Sequence, residues 1–137
     1  TNYLTKVLAR QEVKKHKADE GILLNSKGEL SEGTGSTLFL VKGNILYTPP
    51  LSAGLLPGIT RDLVMTCAKK TNILMREKVL SHLDLMQADE AFFTSSLKDI
   101  MPIRTVDGKN IGRFQTRPVT QKLTISFQEK IKSELDH

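Results

Sequence analysis

Three short segments carry residue types that could do chemistry. In Leu56-Pro57-Gly58-Ile59-Thr60-Arg61-Asp62, a glycine that permits close approach stands just ahead of a helical pattern. The first N–H groups of such a helix have no partner within it, the helix dipole is positive there, and a Thr hydroxyl stands beside them. The segment could therefore hold an anion such as a phosphate. A Pro-Gly turn followed by a Thr cap accounts for the same residues without a ligand, and spacing alone favours that simpler reading. The second segment, Ser31-Glu32-Gly33-Thr34-Gly35-Ser36-Thr37, is a small-residue loop with one carboxylate. It has neither a Walker lysine nor dinucleotide-type glycine spacing, so it does not cradle a nucleotide. Glu32 either enters a pocket and pairs with a buried positive group or is a surface glutamate in a turn, the simpler of the two. The third, Thr94-Ser95-Ser96-Leu97, follows the apolar run Ala91-Phe92-Phe93 and offers hydroxyls and N–H groups to a second anion, or is a polar turn.

The elements that must position these segments are legible from periodicity and turn residues. Tyr3, Leu4, Val7, Leu8 and Val13 share one face of a helix over residues 2–17, with Lys6, Arg10, Lys14 and Lys15 mostly opposite. Residues 21–24 read as a strand, residues 25–28 as a turn, and a second strand is expected after it. Leu38-Phe39-Leu40-Val41 and Ile45-Leu46-Tyr47, separated by Lys42-Gly43-Asn44, predict a hairpin. A helix over 60–70 with Leu63, Val64, Cys67 and Ala68 inward comes next, followed by a strand over 73–79 and a short helix capped by Ser81. Residues 91–93 read as a buried strand and 100–106 as another extended piece. Asp107-Gly108 marks a hairpin, and Pro118 opens a final helix with Leu123, Phe127, Ile131 and Leu135 on its docking stripe. Strands and hairpins interleaved with about four helices make one mixed α/β domain rather than a purely parallel doubly wound sheet.

Composition narrows the function classes. With 137 residues, 39% apolar and 26% charged, the chain has the size and balance of one domain with a core of its own. Its net charge of +5 is scattered, with Lys14-Lys15 and Lys17 the only short cluster, and its seven Phe and Tyr residues form no stacking stripe. Nucleic acid is therefore not the expected partner. A single cysteine, Cys67, excludes an internal disulfide and a CxxC site, and His16, His82 and His137 are too dispersed to suggest a metal centre. No apolar run is long enough to span a bilayer and no secretory signal is visible, so a membrane is not expected and the cytoplasm is the default compartment. The start at Thr1, opening directly into a helical pattern, suggests a fragment of a longer protein.

Taken in order, the segments resemble the C-terminal domain of the class IV, fold-type IV enzymes that use pyridoxal 5'-phosphate. These include the branched-chain and D-amino acid aminotransferases, with aminodeoxychorismate lyase as a relative. The matching residues are Asn2-Tyr3-Leu4, Ala18-Asp19-Glu20-Gly21, Ser31-Glu32-Gly33 through Leu38-Phe39, Leu46-Tyr47-Thr48-Pro49-Pro50 and Leu55 through Asp62. They continue through Ala88-Asp89-Glu90, Thr94-Ser95-Ser96, Val106-Asp107-Gly108-Lys109 and Pro118-Val119-Thr120. The resemblance implies a mixed, barrel-like sheet, the larger C-terminal domain of the D-amino acid aminotransferase-like fold, spanning residues 1–137. It assigns cofactor contacts to Tyr3 (the ring's 3-oxygen), Glu32 (the ring nitrogen), Leu56 (one ring face), and Ile59, Thr60 and Ser96 (the phosphate). The N–H of Leu97 would receive the substrate carboxylate. A carboxylate beside the ring nitrogen suits the cofactor's chemistry, because electron withdrawal is strongest when that nitrogen is protonated.

Two departures accompany the matches. Thr37 stands where the family's strand after the Glu loop begins with Asn. The family's Schiff-base lysine and its N-terminal domain lie upstream of the Asn-Tyr pair, so no catalytic residue is expected within this chain; Lys6 and Lys14 sit on the solvent side of the opening helix. The expected parent enzyme moves an amino group between an amino acid, of branched-chain type, and a 2-oxo acid. It is expected to be a homodimer, with the fragment alone inactive. The alternatives are a lyase that releases pyruvate from aminodeoxychorismate, or a non-catalytic excised domain.

Overall fold

The computed structural model describes residues 21–24, 27–33, 37–50, 59–95, 99–112 and 116–135, with Leu23, Glu32, Gly33, Ile59, Thr60, Ser95, Asp99, Glu134 and Leu135 described by backbone only. Strands β1 (Ile22–Leu24) and β2 (Leu30–Gly33) form an antiparallel pair. Strands β3 (Thr37–Lys42), β4 (Ile45–Thr48), β5 (Met75–Glu77), β6 (Glu90–Ser95) and β7 (Asp99–Pro102) form a five-stranded sheet in the order β5-β4-β3-β6-β7. Strands β8 (Thr105–Val106) and β9 (Lys109–Asn110) make a second small pair. The helices are α1 (Ile59–Lys70), α2 (His82–Met86) and α3 (Pro118–Leu135). The sheet is mixed, since β4 and β5 run parallel and its other pairs antiparallel.

Two expectations change in detail. The strand over 73–79 is confined to Met75–Glu77, where the parallel ladder with β4 ends at Thr48↔Glu77. The main sheet is open, with β5 and β7 at its edges, and no closed barrel forms among the described residues. Three helices are described where about four are expected, because the opening helix over 2–17 lies outside the described residues.

The hairpin between β3 and β4 closes in two residues, with Lys42 opposite Ile45. Gly43 and Asn44 both have positive φ, 59° and 62°, the backbone that matches the right-handed strand twist in a two-residue turn. Asp107 and Gly108, at φ 51° and 79°, do the same between β8 and β9. The continuous apolar runs of β3 and β6 arise because both faces of the sheet are covered. Phe39, Val41 and Phe92 face α1 and α3, packing with Val64, Cys67, Ala68, Leu123 and Phe127. Leu38, Leu40, Ala91 and Phe93 pack on the other side with Leu30, Leu80, Leu85 and Ile111. Phe39 and Phe92, opposite one another in the ladder, stack with ring centroids 5.1 Å apart. Cys67 is a free, buried packing residue.

The start of α3 is held by a strand. Glu90, buried at the beginning of β6, accepts hydrogen bonds from the N–H groups of Val119 at 3.3 Å and Thr120 at 2.8 Å. Pro118 has no N–H to satisfy, so the next two donors are the ones that need a partner. A carboxylate at the positive helix end supplies it. Nearby Arg117 has its pKa lowered by burial, partly offset by the Glu90 charge and reinforced by that of Arg104. Replacing Glu90 by Ala is expected to lower stability by about 3 kcal/mol in chemical denaturation, with Glu90→Gln costing roughly half as much, since each bond to a charged acceptor contributes about 1.5–3 kcal/mol. A loss below about 1 kcal/mol for Glu90→Ala would show that the cap is not stabilising.

Candidate functional site

The sheet's two ends differ in chemistry, and the described parts of the three segments singled out in the sequence lie towards one of them. β3 begins at Thr37, opposite Thr94 near the end of β6. β6 ends at Ser95, opposite Asp99, the first residue of β7, so this pair of strands also stops at this end. β4 finishes there too, since the Thr48 hydroxyl donates to the Leu38 carbonyl at 2.9 Å and pins the end of β4 to the start of β3. From Thr48 the chain leaves through Pro49 and Pro50, and α1 returns to the same place. Its first-turn Arg61 donates from Nη2 to the Pro49 carbonyl at 3.2 Å. β2 ends at Gly33, three residues before β3 begins, which brings the Glu32 backbone towards the same end.

Of the predicted site residues, Glu32 lies in β2, and Ile59 and Thr60 are the first two residues of α1. Tyr3, Leu56, Ser96 and Leu97 lie outside the described residues. The helix start therefore stands where the sequence puts it, with its opening N–H groups pointing out of the helix end as an α-helix requires. Those donors and the positive helix end suit a phosphate.

Sequence reasoning missed further groups at or beside this end. The Ser31 hydroxyl, next to Glu32, and the Thr94 hydroxyl, two residues before Ser96, are buried without a hydrogen-bond partner among the described residues. An unmet buried hydroxyl costs about 1–3 kcal/mol, so each is a cost to the fold on a segment beside the site. Arg61 was also overlooked, although a cation in a helix's first turn, against the dipole, is a readable signal. A helix start, buried hydroxyls and a carboxylate-bearing strand together fit a phosphorylated, polar heterocycle.

The other end holds a cleft of about 490 Å3 bordered by Asn44, Gln87, Asp89, Glu90, Gly112 and Pro118. Its carboxylate, Glu90, already serves α3, and Asp89 accepts from the Gly43 N–H at 2.9 Å and faces Lys42 at 3.6 Å. Its anionic groups are thus engaged by the protein itself. The exposed His82–Asp107 pair, at 3.8 Å, is worth under about 1 kcal/mol and marks no site. No described helix is long and apolar enough to cross a membrane.

Comparison with known proteins identifies the family of the chain. The family model described as amino-transferase class IV matches residues 1–106. The chain is 43% identical over 126 residues to the branched-chain-amino-acid aminotransferase of Escherichia coli (strain K12), covering 92% of this chain and 41% of that protein. A crystal structure of an Escherichia coli branched-chain amino acid aminotransferase superposes with a TM-score of 0.90 at 42% identity, over 93% of this chain and 43% of that one. The Thermobaculum terrenum branched-chain amino acid aminotransferase in its PLP form superposes with a TM-score of 0.89 at 32% identity, over 94% of this chain and 42% of that one. The chain thus spans less than half the length of these relatives.

The Thr94 hydroxyl offers a check on the site that needs no ligand. Thr94→Val removes an unmet buried hydroxyl at nearly constant shape, so the stability of the ligand-free protein is expected to stay level or rise by about 1 kcal/mol. A drop of more than about 1 kcal/mol in thermal or denaturant unfolding would mean the hydroxyl is already bonded in the folded protein.

Proposed function

Because the chain belongs to the class IV amino-transferase family, we propose that it is the C-terminal, cofactor-binding domain of a pyridoxal 5'-phosphate-dependent aminotransferase. The enzyme moves an amino group between a branched-chain amino acid and a 2-oxo acid. The observation that carries this reading is the return of the α1 start to the sheet end where β4 leaves, with Arg61 bonded to the Pro49 carbonyl at 3.2 Å. The Glu32 strand and the last residues of β6 approach that same end.

When bound, pyridoxal phosphate draws electrons from the substrate's α-carbon and so acidifies its C–H bond. This chain's residues then divide the work of holding it. The Ile59 and Thr60 N–H groups and the Thr60 hydroxyl take the phosphate, helped by Ser96, because fixed donors at a helix start bind a dianion with little reorganisation. Glu32 keeps a proton on the ring nitrogen, since a carboxylate beside a pyridine nitrogen favours its charged form. Leu56 packs on a ring face and keeps water from it, Tyr3 bonds the 3-oxygen, and the Leu97 N–H orients the substrate carboxylate. The lysine that relays the proton, and an arginine for the phosphate, belong to the portion of the relatives that this chain does not span. The intact protein is a cytoplasmic homodimer in this reading.

Branched-chain specificity is supported by the Pro49-Pro50 and Leu56–Asp62 segments and by 43% identity to a branched-chain enzyme. In the full-length protein, leucine with 2-oxoglutarate is expected to yield glutamate, and aminodeoxychorismate is expected to yield no pyruvate. Pyruvate release without glutamate formation would replace the transferase with the lyase. The 137-residue chain alone, treated with pyridoxal phosphate and borohydride, is expected to keep its mass apart from scattered labelling of surface lysines. A stoichiometric adduct at one lysine would place the covalent anchor within this chain and contradict the domain assignment.

A further inference from the structure

Arg61 is a buried charge that the reading above leaves unused. Its side chain is only 4% exposed, yet it sits in the first turn of α1, where the helix dipole disfavours a cation. Nη2 donates to the Pro49 carbonyl at 3.2 Å and lies 3.2 Å from a Glu77 carboxylate oxygen, while Nη1 contacts Met65 Sδ at 3.3 Å. Nε is buried without a hydrogen-bond partner among the described residues. One side chain therefore ties the start of α1 to the exit of β4 and to the last residue of β5.

This arrangement is poor value for stability. The guanidinium is desolvated, one of its donors is unmet, and its ionic partner Glu77 is 43% exposed, so solvent screens the pair. What the arrangement does provide is a fixed place for the start of α1 relative to the sheet end, while the charge itself is offset by Glu77. The tie favours a dianion at the helix start because it limits how far the opening N–H groups can shift. Arginine suits the task, because its planar fork can engage a carbonyl and a carboxylate at once.

We infer that Arg61 is a positioning residue for the cofactor phosphate, acting through α1 rather than by touching the ligand. This rests on the phosphate site proposed above. The test compares pyridoxal 5'-phosphate with pyridoxal, which shares the ring but lacks the phosphate, as ligands of the full-length protein, titrated by absorbance. Arg61→Met is expected to weaken pyridoxal phosphate binding by about tenfold while changing pyridoxal binding by less than about twofold. Arg61→Lys, which retains the charge but not the fork, is expected to recover part of that selectivity. An equal loss for both ligands, or no loss for either, overturns the inference and leaves the phosphate site standing. Should Arg61→Met fail to fold by circular dichroism, the neutral, polar Arg61→Gln is read in the same way: a phosphate-selective loss supports the role, and an equal or absent loss overturns it. If the unaltered protein binds pyridoxal phosphate no more tightly than pyridoxal, the phosphate site itself fails and the inference falls with it.

Discussion

The middle of the main sheet is dry on both sides, and this constraint decides where chemistry can occur. Strands β3 and β6 send Phe39, Val41 and Phe92 into one core and Leu38, Leu40, Ala91 and Phe93 into another. Their backbone groups are consumed by the ladder that pairs residues 37–41 with residues 90–94. A polar ligand finds no unpaired donor there, and burying one without partners is unfavourable. Unpaired main-chain donors survive where strands stop and helices begin. That confines a polar site to the ends of the sheet and explains why a carboxylate-bearing strand, a helix start and a polar turn can serve one ligand while lying far apart in the chain.

The two ends show the same physics resolved in opposite ways. At one, the start of α3 is closed from within, because the Glu90 carboxylate accepts from Val119 and Thr120. At the other, α1 carries in its first turn a buried arginine bonded away from the helix axis, to Pro49 and Glu77. A helix start neutralised by the protein's own anion stabilises the fold. At the start of α1, Arg61 pairs with Glu77 and holds the helix against the sheet end, which suits the anion site proposed above. The contrast separates the candidate site from the cleft beside Glu90, whose carboxylates are already engaged by the protein.

Much of the fold was legible because its signals are local. The Gly43-Asn44 and Asp107-Gly108 turns demand positive φ and adopt it. Ser81 forms a capping box with Asp84, and the four-residue spacing of Leu123, Phe127 and Ile131 docks α3 on the sheet. The strand over 73–79 was overextended because β-prone residues alone do not make a strand. Only the stretch with a ladder partner in β4 is held, and Leu74 and Val79 flank it exposed. Sheet closure was likewise beyond reach, since it depends on which edges meet rather than on the pattern within any strand.

The candidate site divides along the same line. Residue types and spacing marked the Glu32 loop, the Ile59-Thr60 helix start and the Thr94–Leu97 segment as able to meet a charged group while leaving simpler readings open, and the family resemblance alone turned them towards one cofactor. Only the tertiary structure decided that the ends of β2 and β6 and the start of α1 approach one end of one sheet, that Glu90 is spent on capping α3, and that Arg61 turns back to Pro49 and Glu77. The reason is that such relations are set by strand order and by desolvation, and both depend on contacts between residues distant in the chain.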